Sequence, residues 1–306
     1  MPRRTRLGLT AGLLLALALE SSAAIPPPDG FLAAFSLQSD DPAFGGLSAI
    51  EVSDDGTRFT ALSDRTRFVT GRIDRDSDGR IAALTLDPMQ PLRGKGAAPL
   101  APGRGDSEGL AITKHGTAYV SLEGVPRVLR YDSLDGPAEN LPTPPAFSRL
   151  RKNAALEALA VNAKGQLFTL PEDVPEGGDF PAYRFSGGEW TVAFHLPRDG
   201  AFLPVGADFG PDGRLYILER QFHGIPGFSS RVRALTLNQD GTLVGIETVM
   251  QSPTGFHDNL EGIAAWADAQ GRLRLTMISD DNFLPWQRGE IVEYSLPDPT
   301  PPAPAG

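Results

Sequence analysis

The sequence predicts an all-β protein, a β-propeller of five four-stranded blades, on three observations. One pattern occurs five times: a short apolar strand, a turn containing Gly, a second apolar strand, then an acid. Two further strand-like runs follow most copies, which brings each unit to four strands. The units begin at residues 47, 108, 157, 205 and 261, so they lie 48 to 61 residues apart, near the roughly 40–50 residues of a propeller blade. A sixth blade fits only if the long first unit conceals one.

The elements follow in chain order. Arg3, Arg4 and Arg6 precede an uncharged apolar run, Leu7 to Leu19, and the small residues Ser22-Ala23-Ala24. This is the pattern of a secretory signal peptide over residues 1–24. The run is 13 residues long, short of the roughly 20 that span a bilayer as a helix. Thr5-Arg6-Leu7 follows the Arg pair only loosely as a twin-arginine signal, which favours the general secretory route. The expected destination is the periplasm or the medium. Phe31 to Leu37 is a strand with no partner before the first unit. The five hairpins turn at Asp55-Gly56, His115-Gly116, Lys164-Gly165, Asp212-Gly213 and Gln270-Gly271, because Gly takes positive φ at little steric cost. Further strands are expected at Phe68–Ile73, Ile81–Leu86, Arg127–Tyr131 and, weakly, Ala138–Leu141. The same holds for Ala182–Phe185, Trp190–Leu196, Arg231–Leu237 and Val244–Met250. The fifth unit has only Glu290–Leu296, so Phe31–Leu37 completes it and closes the ring with both chain ends. Residues 297–306, "PDPTPPAPAG", read as a frayed, disordered tail, leaving 25–296 as one domain.

Composition narrows the function. Without residues 1–24, which hold three Arg and one Glu, the formal charge moves from −10 to −12. Such a chain suits cations or cationic ligands and is a poor partner for nucleic acid or an anionic membrane. With no Cys, stability must come from a core, from bound ions, or from both. There is no H-E-x-x-H zinc motif or Gly-rich phosphate loop. The expected partner is a small molecule, phosphorylated or otherwise esterified, met by a monomer without a membrane span.

The acids have a geometric meaning. In each hairpin the first strand lines the central channel and the second returns antiparallel to it. Acids at the start of the first strand and at the end of the second therefore share one open end. The first set is Asp106, Glu108, Glu157, Asp208, Asp258 and Glu261; the second is Asp64, Glu123, Glu172, Glu219, Asp280 and Asp281. Both sets are expected to converge on one mouth, where they repel unless neutralised or protonated.

Three strings carry a family resemblance: "NAALEALAVNAKGQLFTLPED", "GRLYILERQF" and "DNLEGIAAWADAQGRLRLTMISDDNFLPWQRGEIVEYSL". They resemble the exported phytase-like propeller family, described as having esterase-like activity of the phytase type, over roughly Phe31 to Leu296. The resemblance implies a propeller, export and, by analogy with propeller phytases, a Ca²⁺-dependent phosphoesterase. Five repeats are one fewer than the six blades of those phytases.

The candidate residues follow. Glu108, Glu157, Glu261, Asp280 and Asp281 are expected to ligate Ca²⁺, a hard cation that takes oxygen ligands. Glu219 and Arg220 are expected on the substrate side, where Arg presents a fork of donors to phosphate; Arg65 occupies the matching place in the first unit. His257, and His223 with it, precede or follow acidic strings and are candidates for acid–base work, whereas His115 and His195 read as bystanders. Asp74, Asp76 and Asp78 match positions 1, 3 and 5 of an EF-hand loop, with Gly79 at position 6 but Thr85 at position 12. A plain Asp-Gly hairpin turn accounts for the same residues. Trp266, Phe283 and Trp286 fit either an apolar wall beside the channel or packing between blades. The different-class alternative is a non-catalytic propeller that binds a ligand or protein at the same face with structural calcium, its acids capping hairpins.

Overall fold

The computed structural model describes residues 25–100, 105–175 and 177–297; the predicted signal peptide and residues 298–306 of the tail lie outside them. Blade 1 holds β2 (Leu47–Val52), β3 (Arg58–Ser63), β4 (Arg67–Arg75) and β5 (Ile81–Leu86), with the short β6 (Gln90–Pro91) also on β4. Blade 2 holds β7 (Ser107–Ile112), β8 (Ala118–Leu122), β9 (Arg127–Tyr131) and β10 (Glu139–Asn140), the last only two residues where the sequence signal is weak. Blade 3 holds β11 (Leu156–Val161), β12 (Leu167–Pro171), β13 (Phe180–Ser186) and β14 (Glu189–Leu196). Blade 4 holds β15 (Leu203–Phe209), β16 (Leu215–Phe222), β17 (Phe228–Leu237) and β18 (Leu243–Gln251). Blade 5 holds β19 (Leu260–Ala267), β20 (Leu273–Ser279) and β21 (Glu290–Ser295), and its outer strand is β1 (Phe31–Ser36) from the other end of the chain. The count is five, closed as the unpartnered N-terminal strand requires.

The inner strands β2, β7, β11, β15 and β19 each touch the next, and β19 returns to β2. An apolar cluster fills each seam between neighbouring blades. Leu62 and Val120 join blades 1 and 2, and Phe147 and Leu159 lie between blades 2 and 3. Phe168 and Ile217 join blades 3 and 4, Tyr216 and Met277 join 4 and 5, and Val69 and Ile278 join 5 and 1. Alternation along each strand makes this arrangement necessary, since both faces of a blade meet a neighbour.

At the axis the strands come so close that side chains must be small. A Cβ on Gly262 would sit 2.7 Å from Ala49 Cα and 2.7 Å from Ile278 Cγ2. Overpacking of this kind costs about 1–3 kcal/mol, so Gly262→Ala is expected to lower the denaturation midpoint of the folded chain by that amount. An unchanged midpoint in urea would mean that β2 and β19 can separate freely.

Candidate functional site

Every inner strand carries a break in register at the same place. The shifts lie between Leu47 and Ala49, Ser107 and Leu110, Leu156 and Ala158, Pro204 and Gly206, and Leu260 and Gly262. A bulge bends its strand and re-aims the extra side chain. The residues so placed are Ser48, Glu108, Glu157, Val205 and Glu261, a ring with three glutamates. The cross-strand pairs Leu47–Ser63, Ser107–Leu122, Leu156–Pro171, Pro204–Glu219 and Leu260–Ser279 are equivalent. One residue further along the second strand therefore gives a second ring: Asp64, Glu123, Glu172, Arg220 and Asp280.

The two rings meet at one mouth and divide it into two parts. On the side of blades 2 and 3, carboxylate oxygens of Glu108, Glu123 and Glu157 all lie within 4.8 Å of one another. Glu123 Oε1 also accepts the Ala155 N–H at 3.4 Å. On the side of blades 3 to 5, Arg220 donates through Nη2 to Glu172 Oε1 at 3.0 Å and through Nη1 to Glu261 Oε1 and Asn259 Oδ1. Asn259 Nδ2 donates in turn to Glu261 Oε1 at 2.8 Å. Arg220 thus stands where the other four blades have acids and neutralises its own half of the ring.

Burial, with charge crowding second, raises carboxyls in both rings. Burial first, then Glu261 and Glu123, holds the Glu108 carboxyl well above the usual range. Burial and then Glu108 and Glu172 do the same to Glu157. Burial raises Glu123 to about 7, Asp64 to about 6 and Asp280 to about 8, in the last case with Glu261 as the next cause. Burial opposes the charge on Arg220, but Glu261 and Glu172 more than offset it and raise its pKa. Below the glutamates the channel is closed: Ile50, Leu110, Leu159 and Ile263 surround a void of about 10 Å³, at the lower limit for one water. The mouth is a blind, acidic basin.

The structure brings Glu108 and Glu157 together with Glu123, and places Glu261 and Asp280 in the same two rings, Glu261 already bonded to Arg220. Asp281 Oδ1 accepts the backbone N–H groups of Gly46 and Phe283, at 2.9 and 3.0 Å, and so pins blade 5 to blade 1. Glu219 is not brought to the mouth. Alternation turns it to the opposite face from Arg220, where Arg231 and Arg233 bind it in the interior. His257 is also buried away from the basin. Its Nε2 is 2.6 Å from Tyr294 Oη, and burial, then Arg288, lowers it to about 4, so it is neutral at pH 7. His223, on the β16–β17 loop, bonds Ser229 Oγ through Nε2 at 2.8 Å.

In the Asp-rich loop, Asp76 Oδ1 accepts the N–H groups of Asp78 and Arg80, each at 2.9 Å, and Asp74 lies within β4 opposite Ala83. Among the described residues the only three acids whose oxygens converge are Glu108, Glu123 and Glu157. The expectation that Asp208 shares their mouth is overturned: β15 begins at Leu203, which puts Asp208 near its far end. There Asp208 Oδ2 accepts the Ala265 N–H at 2.7 Å and Glu51 Oε1 accepts the Ile112 N–H at 2.9 Å. The two acids staple neighbouring blades beside an open depression of about 910 Å³.

The partners that sequence reasoning underweighted are Glu123, Glu172 and Asn259. A usable signal existed, since Glu123, Glu172 and Arg220 each stand seven residues after the turn glycines Gly116, Gly165 and Gly213.

Among solved structures, the chain is similar to an α-L-arabinofuranosidase from Podospora anserina in complex with cellotriose, at 15% identity, 87% of this chain, 95% of that chain and a TM-score of 0.51. It is also similar to a protein of unknown function from Dyadobacter fermentans, at 11% identity, 86% of each chain and a TM-score of 0.47. A third is the PQQ-bound aldose sugar dehydrogenase of Streptomyces coelicolor, at 13% identity, 89% of this chain, 100% of that chain and 0.45. At 15% identity the likeness to the first of these concerns the fold alone. Among curated protein sequences none matches. The profile of one family, phytase-like, described as esterase-like activity of phytase, matches residues 42–283. That span takes in all five inner hairpins and both acidic rings, and the chain belongs to this phytase-like family.

Proposed function

We propose that the acidic basin is a Ca²⁺-assisted hydrolytic site acting on a phosphate ester or a related small ester, in an exported protein. The observation that carries this reading is the trio Glu108, Glu123 and Glu157, three carboxyls whose oxygens crowd within 4.8 Å of one another, next to a half-ring that Arg220 does neutralise. Their donor set is all oxygen and formally anionic, which fits a hard cation. A cation held there supplies polarisation of the ester oxygen and activation of a water. The remaining work belongs to the chain. Arg220 holds Glu172 and Glu261 in place through the two ion pairs of its guanidinium. Asp280, raised to about 8 by burial and by Glu261, holds a proton near neutral pH and gives it to the leaving oxygen as water adds and the ester bond breaks.

The test is release of phosphate and of p-nitrophenol from phytate and simple aryl esters, with Ca²⁺ added and then chelated, beside Glu157→Gln. Turnover is expected with Ca²⁺ and is lost on chelation and in the variant. If no substrate is turned over but Ca²⁺ raises the melting temperature, the ion is structural and the basin binds without hydrolysing.

A further inference from the structure

The acidic floor of the basin is accompanied by exposed apolar side chains on its rim. The loops after the second strand of each blade surround the mouth, and three of the largest exposed apolar residues stand at their tips or edges. Phe222 is 66% exposed, Trp286 74%, and Ile225 fully exposed. Apolar surface left in water beside a site entrance is available to what approaches it.

These residues are connected to the floor. Phe222 follows Arg220 by two positions on β16 and so shares its face. Between them lies Phe228, whose ring is 4.9 Å from that of Phe222 and 6.0 Å from the Arg220 guanidinium. On the neighbouring blade 5, the loop of Trp286 is held in a costly conformation. Asn282 and Phe283 adopt φ of 46° and 52°, a region that bulky side chains rarely enter. The Arg65 guanidinium stacks on the Phe283 ring at 3.2 Å, and Asp281 holds the Phe283 N–H. Backbone strain of this kind persists where surrounding contacts enforce it, and it collects at ligand clamps.

We propose that this rim selects the substrate: Phe222, Ile225 and Trp286 bind a hydrophobic alcohol portion while the ester group rests on the acidic floor. The inference rests on the hydrolytic reading of the basin. It assigns a substrate class with one small polar ester group on an apolar, ring-sized body. A densely charged polyphosphate matches this mouth poorly, because the basin is rich in acids and the donors of Arg220 are already engaged by Glu172, Glu261 and Asn259.

The experiment compares kcat/KM for 1-naphthyl phosphate and glycerol 2-phosphate in the full mature chain, in Phe222→Ser/Ile225→Ser and in Trp286→Ser. The expected wild-type ratio favours the naphthyl ester by about tenfold or more, and each variant lowers that ratio severalfold at an unchanged melting temperature. Binding of non-hydrolysable 1-naphthylphosphonate in the presence of Ca²⁺ is followed in parallel by titration calorimetry, which reads the wild type and both variants alike. If no ester is cleaved yet the phosphonate binds and the substitutions weaken it, the rim stands and hydrolysis falls. Turnover with no preference for the naphthyl ester, and no rim-dependent binding, overturns the rim and leaves hydrolysis. Binding of the protein to phosphatidylcholine vesicles through Trp286, with phosphonate binding unaffected by the substitutions, overturns it as well.

Discussion

Glu219→Ala is expected to destabilise the fold by about 3–5 kcal/mol, the usual cost of removing one member of a buried ion-pair network. Glu219 has no exposed surface. Its Oε2 accepts from Arg231 Nε at 2.8 Å and its Oε1 from Arg233 Nη2, and both arginines are themselves buried. Arg231 also reaches Asp199 at 2.6 Å and lies over Phe202, while Arg233 Nη1 donates to Pro197 O at 2.9 Å. One anion therefore fixes two cations from β17 against the β14–β15 connection at the seam of blades 3 and 4. Without it, two guanidinium groups remain in the interior with incomplete partners, and the seam must open or admit water. A domain of this size moves its melting temperature by about 2–4 °C per kcal/mol, so a fall of roughly ten degrees is the expected reading. Glu219→Gln keeps the shape and two acceptor lone pairs and should lose less. A side chain engaged with substrate would instead give lost turnover at an unchanged melting temperature; that outcome would sink the structural assignment.

Glu219 and Arg220 also show where the sequence stops being readable. The blades were legible because Gly turns and apolar runs repeat on a period, and because Phe31–Leu37 had only one place to go. The acidic mouth was legible in outline, since an acid recurs at the open end of each hairpin. Register was not. The bulge after Pro204 lies on β15, whereas on β16 plain alternation turns neighbouring side chains to opposite faces; Glu219 goes to the seam and Arg220 to the channel. The same physics displaced Asp208, whose strand starts two residues before the apparent repeat. Partners across seams, such as Asn259 with Arg220 or Asp281 with Gly46, join residues on different blades, and nothing in local spacing encodes them. The EF-hand-like string shows the converse: its spacing is good, but the backbone of a four-residue turn uses Asp76 as an acceptor.

The protonation of the two channel ends yields the second large prediction. Asp280 at about 8, Glu123 and Asp208 at about 7 and Asp64 at about 6 are all raised by burial above the range of the unfolded chain. They outnumber His257, whose lowered pKa works the other way below about pH 6.5, so between about pH 4 and pH 8 the folded state binds more protons than the unfolded one, and stability falls as pH rises. In chelator, the melting temperature is expected to drop by several degrees or more from pH 5 to pH 8, the reverse of a protein whose carboxylates are salt-bridged. Millimolar Ca²⁺ should abolish most of that drop, because a cation on the Glu108, Glu123 and Glu157 cluster favours the ionised forms and binds the folded state alone. It should not abolish all of it. Glu51, pushed up by burial and then by Asp208, and Asp208 itself lie at the far end of a closed channel, beyond the Ile50 and Leu110 layer, so their share of the slope survives in Ca²⁺. Glu51→Gln combined with Asp208→Asn should remove that residue of pH dependence while leaving the Ca²⁺ response intact. A melting temperature in chelator that is flat or rises between pH 5 and pH 8 would mean that water or the surrounding dipoles already solvate these carboxylates, and the need for a cation at the mouth would go with it.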